Sequence, residues 1–181
     1  SVARVDGRAT EVMGTLGATA GEGYRSTGFT TPEAPTFQRV LREAVERGVE
    51  WVAAEVSSHA LALKRTFGTP FRAAVFTNLT REHLDFHGTM EAYRAAKALL
   101  FQRAGRGVSE DAVNVLNLDD DAGVWMLAQA DGKSVTYGFS RGADYRARRA
   151  RYTPKGTTYD LVSPAGTRRV RLPLVGRLIP I

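Results

Sequence analysis

The sequence predicts an α/β fold, a mostly parallel sheet flanked by helices with a small antiparallel β appendage, and three observations point to it. Three apolar, partly β-branched runs, residues 49–56, 71–77 and 112–118, finish in polar groups: Glu55 with Ser57, then Asn78, then Asp119-Asp120-Asp121. Helical stretches at 60–64, 89–104 and 122–130 separate the runs, and strands that alternate with helices build parallel sheets. From Ser134 onward the texture changes to short alternating segments at 134–139, 145–152, 157–163 and 168–172, with turns at Pro154-Lys155-Gly156 and Pro164-Ala165-Gly166; these read as the antiparallel subregion, 134–173.

Taken in order, residues 1–9 read as the end of a preceding helix, and Glu11 to Gly17 as a short buried strand running into a glycine loop. Thr31-Pro32-Glu33 signals a helix start, and Phe37, Val40, Leu41, Ala44 and Val45 recur at helical spacing up to Gly48. Pro35 removes the first ladder hydrogen bond if Thr31 is the cap, which moves the regular helix a little later. Further on, Thr89 is placed to cap a helix whose apolar stripe is Met90, Tyr93, Ala96, Leu100 and Phe101. Ligands of parallel sheets bind beyond the carboxyl ends of the strands, where the polar residues listed above collect.

A length of 181 residues with 43% hydrophobic content fits one domain with a real core, spanning 1–181. The absence of cysteine excludes disulfides, zinc-thiolate sites and a cysteine nucleophile, and suits a reducing, cytoplasmic compartment. No apolar run reaches the length of a membrane span. The net charge of +6 is uneven, because Arg141, Arg146, Arg148, Arg149, Arg151, Lys155, Arg168, Arg169 and Arg171 crowd the last quarter. Without an aromatic RNA-binding motif or finger spacing, they read as a solvated sheet face rather than a nucleic-acid surface.

The densest chemistry lies between Phe76 and Lys97, where a strand end is followed by Asn78, His83, Asp85 and His87, and then by a lysine inside a helix. Lys97 lies on the apolar stripe, four residues from both Tyr93 and Phe101. An inward lysine needs a partner or a changed charge state, because desolvation disfavours the ammonium. For a lysine taken alone, a stem that snorkels to the surface is the better reading.

Glu55-Val56-Ser57-Ser58-His59, Phe76-Thr77-Asn78-Leu79, Arg81-Glu82-His83-Leu84-Asp85 and Ala95-Ala96-Lys97, in that order, resemble the Mur ligase family, in particular its MurE type. Thr30-Thr31-Pro32-Glu33 extends the match upstream, and Asn117-Leu118-Asp119-Asp120 and Leu174-Val175-Gly176-Arg177 continue it more loosely. The resemblance implies the central, P-loop NTPase-like domain of an ATP-dependent ligase that adds the third amino acid to UDP-MurNAc-dipeptide. A substrate carboxylate is phosphorylated to an acyl phosphate, which the amine of the incoming amino acid then attacks. By position, the resemblance makes Glu55 a ligand of the Mg2+ that bridges ATP phosphates, and His83 a ligand of a second Mg2+. Lys97 matches a lysine that is carbamylated to help hold that second ion. Asn78 and His87 match positions near the phosphates or metal, while His59 and Asp85 are expected to be scaffold. Thr30, Thr31, Ser57 and Arg65 match residues that grip the peptide-bearing part of the substrate; taken alone, Thr30 and Thr31 read as helix caps and Arg65 as a surface charge.

The family's glycine-rich loop ending in Gly-Lys-Thr or Gly-Lys-Ser is not found in the strand-loop-helix context it requires. Gly132-Lys133-Ser134 follows a helix and leads into a strand, and Leu127 stands where the first glycine would be. The chain is therefore expected to be a central domain incomplete at both ends and inactive alone. The alternatives are another Mur ligase, a folylpolyglutamate synthetase relative, or a non-catalytic basic binding module.

Overall fold

A computed structural model describes residues 7–20, 23–102 and 111–174. The elements are β1 (Thr10–Gly14), β2 (Gly17–Ala20), β3 (Gly23–Arg25), α1 (Ala34–Glu46), β4 (Trp51–Ala54), α2 (Ser58–Ala62), β5 (Ala73–Phe76) and α3 (Leu84–His87). Then come α4 (Met90–Ala98), which tightens into a 3-10 turn over Leu99–Phe101, β6 (Val113–Asn117), α5 (Asp121–Gln129), β7 (Lys133–Gly138), β8 (Tyr145–Thr153), β9 (Gly156–Ser163) and β10 (Gly166–Leu172).

The strands form two sheets, ordered β3-β2-β1-β4 and β10-β9-β8-β7-β6-β5. The ladders β1–β4, β5–β6, β6–β7 and β7–β8 are parallel, and the antiparallel ladders lie at the outer ends, β1–β2–β3 on one side and β8–β9–β10 on the other. A mixed α/β fold with a parallel heart is what the alternation of strands and helices predicts.

Two expectations need correcting. The antiparallel subregion does not begin at Ser134, because β7 runs parallel to both β6 and β8 and belongs to the central sheet; antiparallel pairing starts with β8 and β9. The glycine loop after β1 is a second antiparallel addition, β2 and β3. Gly17 turns the chain there at φ 107°, and a Cβ on it would clash with the Arg25 carbonyl oxygen. The proposed helix end at residues 1–9 falls mostly outside the described residues, as does the stretch from 175 to 181.

Each half-sheet packs its own core. Met13, Ala18, Phe37 and Val40 close α1 onto the first sheet, and Ala74, Phe76, Ala98, Phe101, Leu116, Ala122 and Met126 close α4 and α5 onto the second. Burial of that apolar area is the main force holding each layer. On α1, Phe37, Val40 and Ala44 are buried, but Val45 is 70% exposed and falls off the stripe. Pro35 sits in the first turn, where its missing N–H costs nothing, and the first ladder bond runs from Phe37 N–H to the Glu33 carbonyl. Thr89 caps α4 as its position predicts, its hydroxyl accepting from Ala92 N–H at 3.1 Å. No helix among the described residues is long and apolar enough to cross a membrane.

Candidate functional site

One cavity of ≈ 940 Å³ is lined by all eight candidate residues: Thr30, Thr31, Glu55, Ser57, Arg65, Asn78, His83 and Lys97. Segments far apart in sequence meet there because β4 and β5 both release their chains at the same end of the molecule.

On the β4 side the polar groups are tied to one another. Glu55 Oε2 accepts from the Thr15 amide at 3.1 Å and the Thr15 hydroxyl at 2.9 Å, and that hydroxyl lies 3.2 Å from Thr30 Oγ1. Gly14 makes room for this arrangement, since a Cβ there would come within 2.9 Å of Glu55 Oε2. Thr31 is buried; its hydroxyl donates to the Glu55 carbonyl at 2.8 Å and accepts from Ser57 N–H at 2.9 Å. Ser57 caps α2 by accepting from Ala60 N–H at 3.2 Å. Arg65 donates to the Thr31 carbonyl at 3.1 Å, pairs with Glu33 at 2.6 Å and lies over the Phe29 ring, with its Nε buried and unpartnered. Neither threonine caps α1, whose N-cap is Glu33, and Arg65 is not a surface charge: its side chain is 11% exposed.

The β5 side is made of rings. His83 adopts φ 56°, in the left-handed region that non-glycine residues seldom enter. Its ring meets His59 at 4.9 Å and Tyr93 at 5.7 Å. His59 also packs on Phe86 and His87, which makes it the hub of the cluster. His87 stacks on Tyr93 at 5.2 Å and shares a 2.9 Å hydrogen bond with Ser58. Burial, helped by the neighbouring His59 and His83, lowers the His87 pKa, and burial raises that of Tyr93. The loop between β5 and α3 is pinned by Asp120, whose carboxylate accepts from Leu79 N–H at 2.9 Å while capping α5, and by Asn117, which donates to the Thr77 carbonyl.

Lys97 lines the cavity with its Nζ 5.4 Å from the Tyr93 ring centre. Burial lowers its pKa, with Glu82 and Glu55 acting in the opposite direction. Among the described residues its amine makes no hydrogen bond and no ion pair, and it lies against the Tyr93 ring. The roles of Thr15 and Gly14 escape a reading by motif; the one signal for them is their place across the strand pair from Glu55.

No group of three His, Asp or Glu side chains among the described residues could enclose a metal ion. Glu55 nevertheless suits Mg2+, which keeps several waters and takes one or two carboxylates plus substrate phosphates rather than a protein cage.

A parallel α/β sheet whose strand ends open into a cavity ringed by a carboxylate, histidines and a lysine defines a ligand-binding α/β domain. The chain belongs to the Mur ligase family: the family's middle domain matches residues 2–179. It is 44% identical over 149 residues, 81% of this chain and 30% of the relative, to a Bacillus licheniformis UDP-N-acetylmuramoyl-L-alanyl-D-glutamate--2,6-diaminopimelate ligase. A Staphylococcus haemolyticus UDP-N-acetylmuramoyl-L-alanyl-D-glutamate--L-lysine ligase is 38% identical over 94% of this chain and 35% of its own length. A solved structure of a UDP-N-acetylmuramoyl-L-alanyl-D-glutamate--2,6-diaminopimelate ligase superposes with a TM-score of 0.84 at 34% identity, covering 96% of this chain and 35% of that one. The chain thus spans about a third of the length of the relatives it matches.

Proposed function

We propose that this chain is the ATP-side middle domain of a cytoplasmic ligase that joins an amino acid to UDP-MurNAc-dipeptide during peptidoglycan synthesis, with Lys97 carbamylated in the working enzyme. The observation that supports this most is Lys97 itself, a half-buried amine with a lowered pKa and no hydrogen-bond or ion-pair partner among the described residues, in a cavity shared with Glu55 and His83. Carbamylation needs the neutral amine: its lone pair attacks the carbon of CO2, the N–C bond forms, and one proton leaves to solvent. Desolvation favours the neutral form. The product is an anion aimed at the cavity.

Bound Mg-ATP would supply the phosphoryl group that activates the substrate carboxylate. Glu55, held by Thr15, would offer Mg2+ its other carboxylate oxygen, and His83 with the Lys97 carbamate would hold a second ion, with Asn78 and His87 contributing nearby. Arg65 and Thr30 are substrate-binding groups at the opposite rim. Ser57 accepts from Ala60 N–H and keeps its own O–H to donate to substrate. Thr31, whose hydroxyl is already engaged on both sides, acts by positioning Glu55 and Ser57. The two named relatives differ in the amino acid they take.

Replacing Lys97 by alanine in the intact enzyme is expected to lower kcat by about 10³-fold, the scale of losing a group that stabilises transition-state charge, and a short carboxylic acid should restore part of it. Carbon-13 NMR under labelled CO2 should show one carbamate resonance that the variant lacks. Full activity in the alanine variant would overturn the assignment. Titration of the 181-residue chain alone with Mg-ATP should show weak binding, because no strand-loop-helix phosphate cradle is among its described elements; micromolar affinity would contradict this.

A further inference from the structure

Arg65 is nearly enclosed and only partly satisfied. Its Nη1 donates to the Thr31 carbonyl at 3.1 Å, its Nη2 pairs with a Glu33 oxygen at 2.6 Å, and the guanidinium lies 4.6 Å over the Phe29 ring. Its Nε is buried with no hydrogen-bond partner. Nη2 is the terminal nitrogen that shares an edge with Nε, and a guanidinium holds a carboxylate best along such an edge, with two parallel donors on two oxygens. Glu33 therefore takes half of that edge and leaves the other half a buried donor without an acceptor, an unfavourable arrangement for a charged group.

The partner is as poorly matched as the pairing. The Glu33 side chain is 56% exposed, against 11% for Arg65, and a long exposed side chain loses rotamer freedom when it is held in one place. Glu33 is also the N-cap residue of α1, yet its side chain makes no hydrogen bond there, although a carboxylate is stabilised at a helix N-terminus. Once released, it has a favourable place to go. Arg65 lines the cavity and Glu33 does not, so the ion pair draws the guanidinium toward the outside of the rim.

We propose that Glu33 is a latch on Arg65: its carboxylate holds the guanidinium while the cavity is empty, and a carboxylate of the substrate takes its place, pairing along the edge of Nε and Nη2. The latch rests on the role proposed above for Arg65 in binding substrate. Exchanging one carboxylate for another means that Arg65 is never left buried and unpaired, the state that costs most. Glu33 thereby determines specificity without touching the substrate. It weakens every ligand by the strength of its own ion pair, and a ligand that lacks a carboxylate cannot replace it.

The test is steady-state kinetics of the intact enzyme with UDP-MurNAc-dipeptide as the varied substrate. Glu33→Gln keeps the length and removes the charge; Glu33→Asp keeps the charge on a stem one methylene too short, and an aspartate at an N-cap turns to the helix instead. Both should lower KM by about two- to fivefold, the scale of one part-exposed ion pair, and the effect should lie in KM and not in kcat. Arg65→Ala should raise KM, which checks the substrate role of Arg65 separately. An unchanged KM in Arg65→Ala would overturn that role and the latch with it. A raised KM there, combined with an unchanged or raised KM in Glu33→Gln, would overturn the latch alone and make Glu33 a residue that holds Arg65 in its working position. A fall in Glu33→Gln without one in Glu33→Asp would also overturn it, because the effect would then be general repulsion of an anionic substrate.

Discussion

The two rims of the cavity hold their polar groups in opposite ways. On the β4 rim, Thr15, Thr31, Glu55, Ser57 and Arg65 bond to one another and to the backbone. On the β5 rim, His59, His83, His87 and Tyr93 touch ring to ring, and Lys97 is left unpaired among the described residues. A network closed on itself fixes geometry; a rim with open donors and acceptors carries unsatisfied chemistry that a ligand can complete. Losing a contact on the first rim should therefore show in stability as well as activity, and losing one on the second chiefly in activity.

The largest stability effect expected from this contrast is at Thr31. Thr31→Val keeps the shape but removes both hydrogen bonds, leaving the Ser57 N–H and the Glu55 carbonyl without their partner. An unsatisfied buried polar group costs about 1–3 kcal/mol, so urea unfolding should show a loss in that range, while Thr31→Ser loses less. An unchanged midpoint for Thr31→Val would mean that the β4 rim is not the rigid one.

The contrast between the rims was only half legible in the sequence. Periodicity and caps located α1 and α4 and the three parallel runs, because burial on one face leaves a regular apolar trace: Phe37, Val40, Tyr93 and Phe101 are all buried. The motif resemblance gathered eight residues that do share one cavity. What it missed was the direction of individual hydrogen bonds. Thr31 bonds to Glu55 and Ser57, contacts between residues more than 20 apart that no local pattern encodes. The placement of β7 failed for a related reason, since Lys133–Gly138 alternates like an antiparallel strand and its parallel pairing with β6 is decided across the sheet.

The opposite rim should respond with the opposite sign. The Lys97 pKa is lowered below its usual 10.5, so the ammonium opposes folding at neutral pH, and the penalty disappears only above 10.5, where both states are neutral. Lys97→Met keeps the stem and removes the charge, and should stabilise the 181-residue chain by about 0.5–1 kcal/mol, the usual gain when a functional strain is relieved. A destabilised Lys97→Met would show that the lysine contributes to the fold and is not held there against it.

The smallest effect expected is the pH dependence at His87, and it separates burial from simple contact. Its pKa is lowered from 6.5 chiefly by burial, with His59, His83 and Lys97 adding to the effect and Asp85 opposing it. Above 6.5 the ring is neutral in both states and contributes no slope. As the pH falls below 6.5 the unfolded chain takes up a proton that the folded chain resists, so stability declines until the folded pKa is passed. His87→Gln removes this titration and can keep a hydrogen bond to Ser58. The stability of the unmodified chain relative to the variant should therefore shrink between about pH 7 and pH 5, the range in which histidine titrates, when unfolding is followed at fixed ionic strength. A difference that stays constant across that range would mean that the ring stack on Tyr93 is open enough for water to solvate the imidazolium, and the β5 rim would then be less dry than its ring contacts imply.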